Sequence, residues 1–180
     1  MADITLTRLT EDDREQFILD NQYAFKYGAA EEFGERDKHF EEDCEIISRK
    51  TIENCINHGT AYVIRENGKT VGGLVLKINE VTQHNALELL FVHPRAHSKG
   101  IGYSAWQEVE RLYPETKVWE TCTPCFETRN IHFYVNKCGF HIVEFFNSHH
   151  PDPHDPETGE ENNYECEDFD GMFRFEKRMK

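Results

Sequence analysis

Along this chain the spacing of apolar positions switches repeatedly between the period of a strand and the period of a helix. Ile4, Leu6 and Leu9 among Thr and Arg predict a first strand over Ile4 to Leu9. Thr10 with Glu11, Asp12 and Asp13 is an N-cap followed by carboxylates, so a helix is predicted from Glu11 to Lys26, with Gly28 to Lys38 as a loop. Phe40 to His58 reads as a second helix with Cys44, Ile47, Thr51 and Cys55 on one face and Gly59 at its end. Ala61 to Arg65 and Val71 to Ile78 flank Glu66-Asn67-Gly68-Lys69, and Asn67-Gly68 is a strong hairpin signal. Leu87 to Val92 is a nearly continuous apolar run, which predicts a buried strand. A helix from Lys99 to Tyr113 and a strand from Lys117 to Thr121 follow. A short helix at 128–138, a strand at 140–147 and a last strand from Met172 to Lys177 complete the pattern. In that short helix Thr128 is the expected N-cap and Gly139 the expected C′ residue.

The stretch from Leu87 to Trp106, LELLFVHPRAHSKGIGYSAW, combines three of these features. A strand breaks at Pro94, passes through a turn with Lys99, Gly100 and Gly102, and opens a helix. The first amides of a helix have no partner inside it, and its dipole favours negative charge there. Glycines let a phosphate approach the backbone. A phosphate-bearing ligand is expected here; the alternative is a plain tight connection between strand and helix. The spacing excludes a P-loop, which needs GxxxxGK with Ser or Thr, and a dinucleotide fingerprint, because Gly100-Ile101-Gly102 is followed by Tyr103, Ser104 and Ala105.

The segment from Val92 to Gly102 resembles the acyl-CoA signature of the GNAT family of N-acetyltransferases: Arg or Gln, two residues, Gly, one residue, then Gly or Ala. His97-Ser98-Lys99-Gly100-Ile101-Gly102 fits it with His97 in place of Arg or Gln. A second segment, Arg129-Asn130-Ile131-His132-Phe133-Tyr134-Val135-Asn136-Lys137-Cys138-Gly139-Phe140, resembles the family's cofactor helix. The order strand, two helices, three strands, helix, strand, helix, two strands is also that of the family. The resemblance implies one acetyltransferase domain over residues 1–180 with the α/β (α+β) acyl-CoA N-acyltransferase fold: a mixed central sheet of about seven strands flanked by about four helices, strands four and five splayed. It implies acetyl-CoA as co-substrate, its pantetheine paired with the backbone of Leu90, Phe91 and Val92. The turn from His97 through Ser98, Lys99, Gly100, Ile101 and Gly102 to Tyr103 would hold the pyrophosphate, and Asn130 would contact the pantetheine arm. Tyr134 matches the acid that protonates the departing thiolate. It lies five residues before Gly139 where four is usual, so one residue is added in that turn, leaving Phe133 or Tyr134 for the acid's position. A packed aromatic pair under the sheet is the other reading of this Tyr.

Direct transfer to an amine requires a base, a stabilised oxyanion and an acid for the thiolate. Glu88 is the base candidate: a lone carboxylate in an apolar strand, where burial raises a carboxyl's proton affinity, and on the same face as Leu90 and Val92. The alternative is a solvated or ion-paired Glu88. His93 and Glu120 are candidate water-linked relays. A covalent acyl-cysteine route is disfavoured, since no Cys sits on the motif strand beside a His.

Composition narrows the partners. With 34 Asp and Glu against 20 Lys and Arg the net charge is −14, which excludes a nucleic-acid backbone and favours a cationic acceptor, although such a surface also simply keeps a protein soluble. Between Lys137 and Arg174 there is no Lys or Arg, so the nucleotide half of CoA is not expected at that end. The absence of a bilayer-length apolar run and of a leader, together with six scattered cysteines, sets a cytoplasmic expectation with no membrane partner. Cys122-Thr-Pro-Cys125 and His149-His150-Pro-Asp-Pro-His154 have metal-like composition but no ligand-setting framework, so both read as loops and no metal is expected. Acceptor selectivity is expected in 28–59 and 148–170, without an identifiable acceptor; dimers are frequent in the family. The reading from another class is a non-catalytic module that binds acyl-CoA as a sensing ligand.

Overall fold

The computed structural model describes residues 3–33, 45–97, 99–153 and 171–180. The chain folds as two compact units, Met1–Lys117 and Val118–Lys180. The order of elements is the expected one, with differences at several boundaries.

The first unit carries β1 (Ile4–Arg8), α1 (Glu11–Phe33), α2 (Arg49–His58), β2 (Thr60–Glu66), β3 (Lys69–Lys77), β4 (His84–Val92) and α3 (Ile101–Leu112). Its four strands are antiparallel neighbours in chain order. Asn67 (φ 50°) and Gly68 (φ 80°) both take positive φ, the conformation a two-residue hairpin turn demands, so the β2–β3 connection forms as expected. Helix α1 does not stop near Lys26. It continues through Gly28 to Phe33, because Ala29, Ala30 and Glu31 are good helix formers and Ala29 is buried. The loop expected from Gly28 is thus helical as far as 33, and residues 34–38 lie outside the described residues. Helix α2 is shorter than expected. Ser48 caps it by accepting the Thr51 N–H at 3.1 Å, and Ile52, not Thr51, is its fully buried residue. The part of that expected helix from Phe40 to Cys44 lies outside the described residues.

The core of this unit forms where α1 and α2 meet one face of the sheet. Phe17, Ile18, Ile52, Val63, Val75, Leu89 and Phe91 are buried together. The rings of Phe17 and Phe91 meet edge to face at 5.1 Å, over Gly73. A Cβ on Gly73 would lie 2.2 Å from the Phe17 ring, so the missing side chain is what admits the pair. Strand β4 therefore alternates: Leu87, Leu89 and Phe91 are buried, Leu90 and Val92 half-buried, and Glu88 exposed.

The second unit carries β5 (Val118–Pro124), α4 (Thr128–His132), a π-helical turn (Phe133–Cys138), β6 (His141–Phe146) and β7 (Met172–Arg178). Strand β7 lies between β5 and β6 and is antiparallel to both. Glu127, not Thr128, is the N-cap of α4, and its side chain makes no capping bond. Gly139 (φ 78°) ends the π-helical turn in the left-handed conformation, as expected of a C′ glycine. Of the expected acidic end and the 148–170 loop, residues 154–170 lie outside the described residues, His154 among them.

Candidate acetyl-CoA site

The strand–turn–helix segment has the geometry its sequence predicts. Gly100 is the N-cap of α3 at φ 74°, ψ 9°, a left-handed conformation that a residue with a side chain adopts only with strain. A Cβ there would have no atom of the described residues within 4 Å, so among them the approach to the turn is open. The Gly100 carbonyl accepts the Ser104 N–H at 3.0 Å, which starts the helical ladder and leaves the amides of Ile101, Gly102 and Tyr103 in the unpaired first turn. Ile101, Ala105, Trp106 and Val109 anchor α3 by burial. Lys99 is exposed beside the turn, and Ser98 lies outside the described residues.

His97 is held in place rather than left free. Its Nε2 is 2.9 Å from the Val92 carbonyl, its Nδ1 is 4.0 Å from Glu31 Oε2, and its ring meets the Tyr27 ring at 6.0 Å. The imidazole thus ties the end of β4 to the last turns of α1, a constraint that an extended Arg would not impose in the same way. A second imidazole does the same one turn earlier. His93 Nε2 is 3.1 Å from Asp20 Oδ2, and Gln16 donates to Asp20 Oδ1 at 2.8 Å. The His93 main chain is fixed on both sides, its N–H to Val71 and its carbonyl to Ala96, each at 2.8 Å. His93 was legible as a candidate; Asp20, Gln16, Tyr27 and Glu31 were not, because nothing local links α1 to a strand some seventy residues away.

Glu88 does not have the environment that motivated it. It is exposed, not buried among the apolar residues of its strand. The physical reason is that α1 covers only the other face of β4. The face on which Glu88 stands with Leu90 and Val92 is as alternation predicted.

In the second unit the added residue is absorbed by the π-helical turn, which carries one residue more per turn than an α-helix. The Phe140 N–H bonds the Tyr134 carbonyl at 3.0 Å across it. The result is that Tyr134 is buried and Phe133 only half-buried. The Tyr134 ring packs on Phe133, Phe140 and Phe175 at centroid distances of 5.3, 5.7 and 5.7 Å. Burial pushes its phenol well above the usual tyrosine range, against a hydrogen bond with Thr121 that acts the other way. The phenol is therefore protonated throughout the neutral range. Asn130, half-buried on α4, donates from Nδ2 to Glu127 Oε2 at 3.3 Å.

Of the cluster of Glu120, Arg174, Glu176 and Glu144, only Glu120 is a candidate from the sequence, and its ion pairing is not legible there. Arg174 bonds Glu120 and Glu144 at 2.9 Å and Glu176 at 2.8 Å, and His150 Nε2 reaches Glu144 at 2.8 Å. Glu120 is thus an ion-pair partner rather than a free relay. His150 also stacks on Phe146, and the Asn147 side chain accepts the His149 and His150 N–H groups. Cys122 is exposed on β5 and Cys125 half-buried after it, and neither is in a disulfide with a described residue.

The seven strands and four helices of the described residues, in this order, define the acyl-CoA N-acyltransferase fold. Among solved structures with that fold are the PaiA N-acetyltransferase of Thermoplasma acidophilum in complex with coenzyme A (17% identity, 98% of this chain and 99% of that one, TM-score 0.66). Another is the spermidine N-acetyltransferase of Vibrio cholerae in complex with CoA and spermine (13% identity, 97% and 95%, TM-score 0.65). The model of the acetyltransferase (GNAT) family matches residues 12–140, and the chain belongs to that family. Acetyl-CoA is the family's co-substrate. A relative of far higher identity is the uncharacterized protein YrkN of Bacillus subtilis (strain 168), 46% identical over 179 residues, covering 98% of this chain and 94% of that protein. Among the described residues no helix is long and apolar enough to cross a membrane.

Proposed function

We propose that this protein is a cytoplasmic N-acetyltransferase, a single acetyltransferase domain over residues 1–180, that moves the acetyl group of acetyl-CoA directly to a primary amine. The observation that carries the reading is the turn at Gly100, left-handed and open above the unpaired amides that begin α3. In this reading those amides, with His97, Ser98 and Lys99 before them, hold the pyrophosphate. The main chain of Leu90, Phe91 and Val92 pairs with the pantetheine, and Asn130 contacts its arm. The attacking amine must be neutral, and Glu88 removes its proton through water, an exposed carboxylate in a chain of net charge −14 that concentrates cationic acceptors. As the tetrahedral adduct collapses, the C–S bond breaks and the thiolate takes a proton from Tyr134, whose burial keeps that proton in place. His93, oriented by Asp20, is a positioning residue that fixes the end of β4 beneath the cofactor.

The enclosure of Tyr134 by three aromatic rings favours a second reading, in which the protein binds acyl-CoA as a signal and transfers nothing. One experiment separates them. Acetyl-CoA is titrated calorimetrically into the protein and into Gly100→Glu, and free thiol is then followed with a panel of polyamines, amino acids and peptides. Micromolar binding lost in the variant, with amine-dependent thiol release, supports the enzyme. Binding without release under any amine supports the sensing module. No binding to the unmodified protein sinks both.

A further inference from the structure

Resting on the transferase reading above, we infer that the outward face of α1 recognises the acceptor, a cation whose amine is carried on an alkyl or aryl body. Helix α1 is apolar on two sides. Phe17, Ile18 and Ala24 enter the core. Leu19, Tyr23 and Tyr27, each one helical turn from the next, form a second row that faces water, 48%, 57% and 37% exposed. The solvent side of a helix ordinarily carries polar residues, and a contiguous row of large apolar side chains there marks a contact surface.

This row is continuous with the acetyl-CoA site. The Tyr23 and Tyr27 rings lie 6.4 Å apart, and the Tyr27 ring meets the His97 ring at 6.0 Å, at the start of the Gly100 turn. Asp20, one turn before Tyr23, reaches His93 at the end of β4 at 3.1 Å. An acceptor lying along the row is therefore held beside the strand whose main chain, in that reading, carries the pantetheine.

Charge selects a cation. Helix α1 carries seven carboxylates against Arg14 and Lys26. Arg14 is turned towards Asn57, to which it donates at 2.6 Å, and Lys26 lies 3.9 Å from Glu45. Asp20 and Glu31 stand one turn from Tyr23 and Tyr27, so carboxylates flank the aromatic row. Tyrosine faces attract an ammonium group, and the rings with Leu19 cover methylenes or an aromatic ring. A small ammonium ion gains nothing from the apolar row, and a neutral molecule gains nothing from the field of the helix.

The test uses the whole protein labelled with nitrogen-15 and saturated with CoA, which has no acetyl group to give. Phenethylamine, hexylamine, 2-phenylethanol and methylamine are titrated separately. The two larger amines should give saturable amide shifts in residues 16–27, 93 and 97, with the alcohol and methylamine at least about tenfold weaker. Phenethylamine affinity should fall about tenfold in Tyr23→Ala and be kept in Tyr23→Phe. Methylamine or 2-phenylethanol binding as well as phenethylamine, unchanged affinity in a folded Tyr23→Ala, or no shift in residues 16–27 from either larger amine would each overturn the acceptor row, while leaving acetyl-CoA binding untouched. Saturable binding on the row without thiol release once acetyl-CoA replaces CoA would keep the row as an amine site and sink the transfer reading instead.

Discussion

Replacing Tyr134 by Phe removes one oxygen and leaves the ring, so it separates the two roles that this side chain can have. The three aromatic contacts at 5.3–5.7 Å are between rings and survive the change. What is lost in stability is the hydrogen bond with Thr121, whose own side chain is buried and then lacks that partner. Removing one partner of a buried hydrogen bond costs about 1–3 kcal/mol, less whatever is recovered from no longer burying the phenol oxygen. The variant should therefore remain folded, with a urea midpoint lowered by no more than that amount. If Tyr134 is the acid, kcat for thiol release falls by about 10² to 10⁴, the usual worth of a positioned proton donor, while KM for acetyl-CoA stays within about threefold. The pH profile gives a further check. Because burial raises the phenol's pKa, the proton is retained below pH 10, so no limb from this group appears in the unmodified enzyme between pH 6 and 10. The same sign applies to stability: the contribution of the neutral phenol is complete below its ordinary value of 10.0 and drains as pH rises above it. The assay is steady-state kinetics beside urea denaturation of the same samples. Normal kcat in a destabilised Tyr134→Phe would refute the catalytic role and leave a packing residue.

Asn21 is fully buried on the core face of α1, and neither of its amide atoms has a hydrogen-bond partner among the described residues. Asn21→Leu should raise stability by about 1–3 kcal/mol, read from urea midpoints; a loss of more than about 1 kcal/mol would show that an ordered water satisfies the amide. Arg174→Met removes the cation shared by Glu120, Glu144 and Glu176. In the unmodified protein His150, and after it Arg174, hold the Glu144 carboxyl below its usual range, so that its contribution is full above the ordinary carboxylate value and is lost as pH falls through the lowered one. In Arg174→Met the three carboxylates repel, and the variant's melting temperature relative to the unmodified protein should rise on acidification from pH 7 to 4; a gap that is constant with pH would overturn this account.

How far the site could be read in advance depended on sequence distance. The turn at Gly100 was legible because strand, glycine and helix are contiguous, and one residue in a left-handed conformation accounts for the spacing. The hairpin at Asn67-Gly68 was legible for the same reason. The overshoot of α1 past Lys26 was not, since Gly28 reads as a breaker while the burial of Ala29 that carries the helix onward belongs to tertiary packing. The clasps of His93 on Asp20 and His97 on Glu31, and the Arg174 cluster, join residues dozens of positions apart, and no local pattern reports them.

Tyr134 and Glu88 show why a correct local observation can lead to different outcomes. For Tyr134 the observation was a count, one residue too many before Gly139, and a count is a constraint on the main chain. A helix accommodates an extra residue by widening one turn, and the π-helical turn from Phe133 to Cys138 is that turn, so the side chain facing the interior is the tyrosine. For Glu88 the observation was an apolar neighbourhood along the chain, which constrains only which residues stand nearby in sequence. Burial of a strand residue depends on what covers its face. Here Phe17 and the rest of α1 cover the face of Leu87, Leu89 and Phe91, and the face of Glu88 stays open. If Glu88 acts as a base, it therefore does so as a solvated carboxylate that hands its proton to water, and Glu88→Gln should lower kcat most where the acceptor amine is most basic.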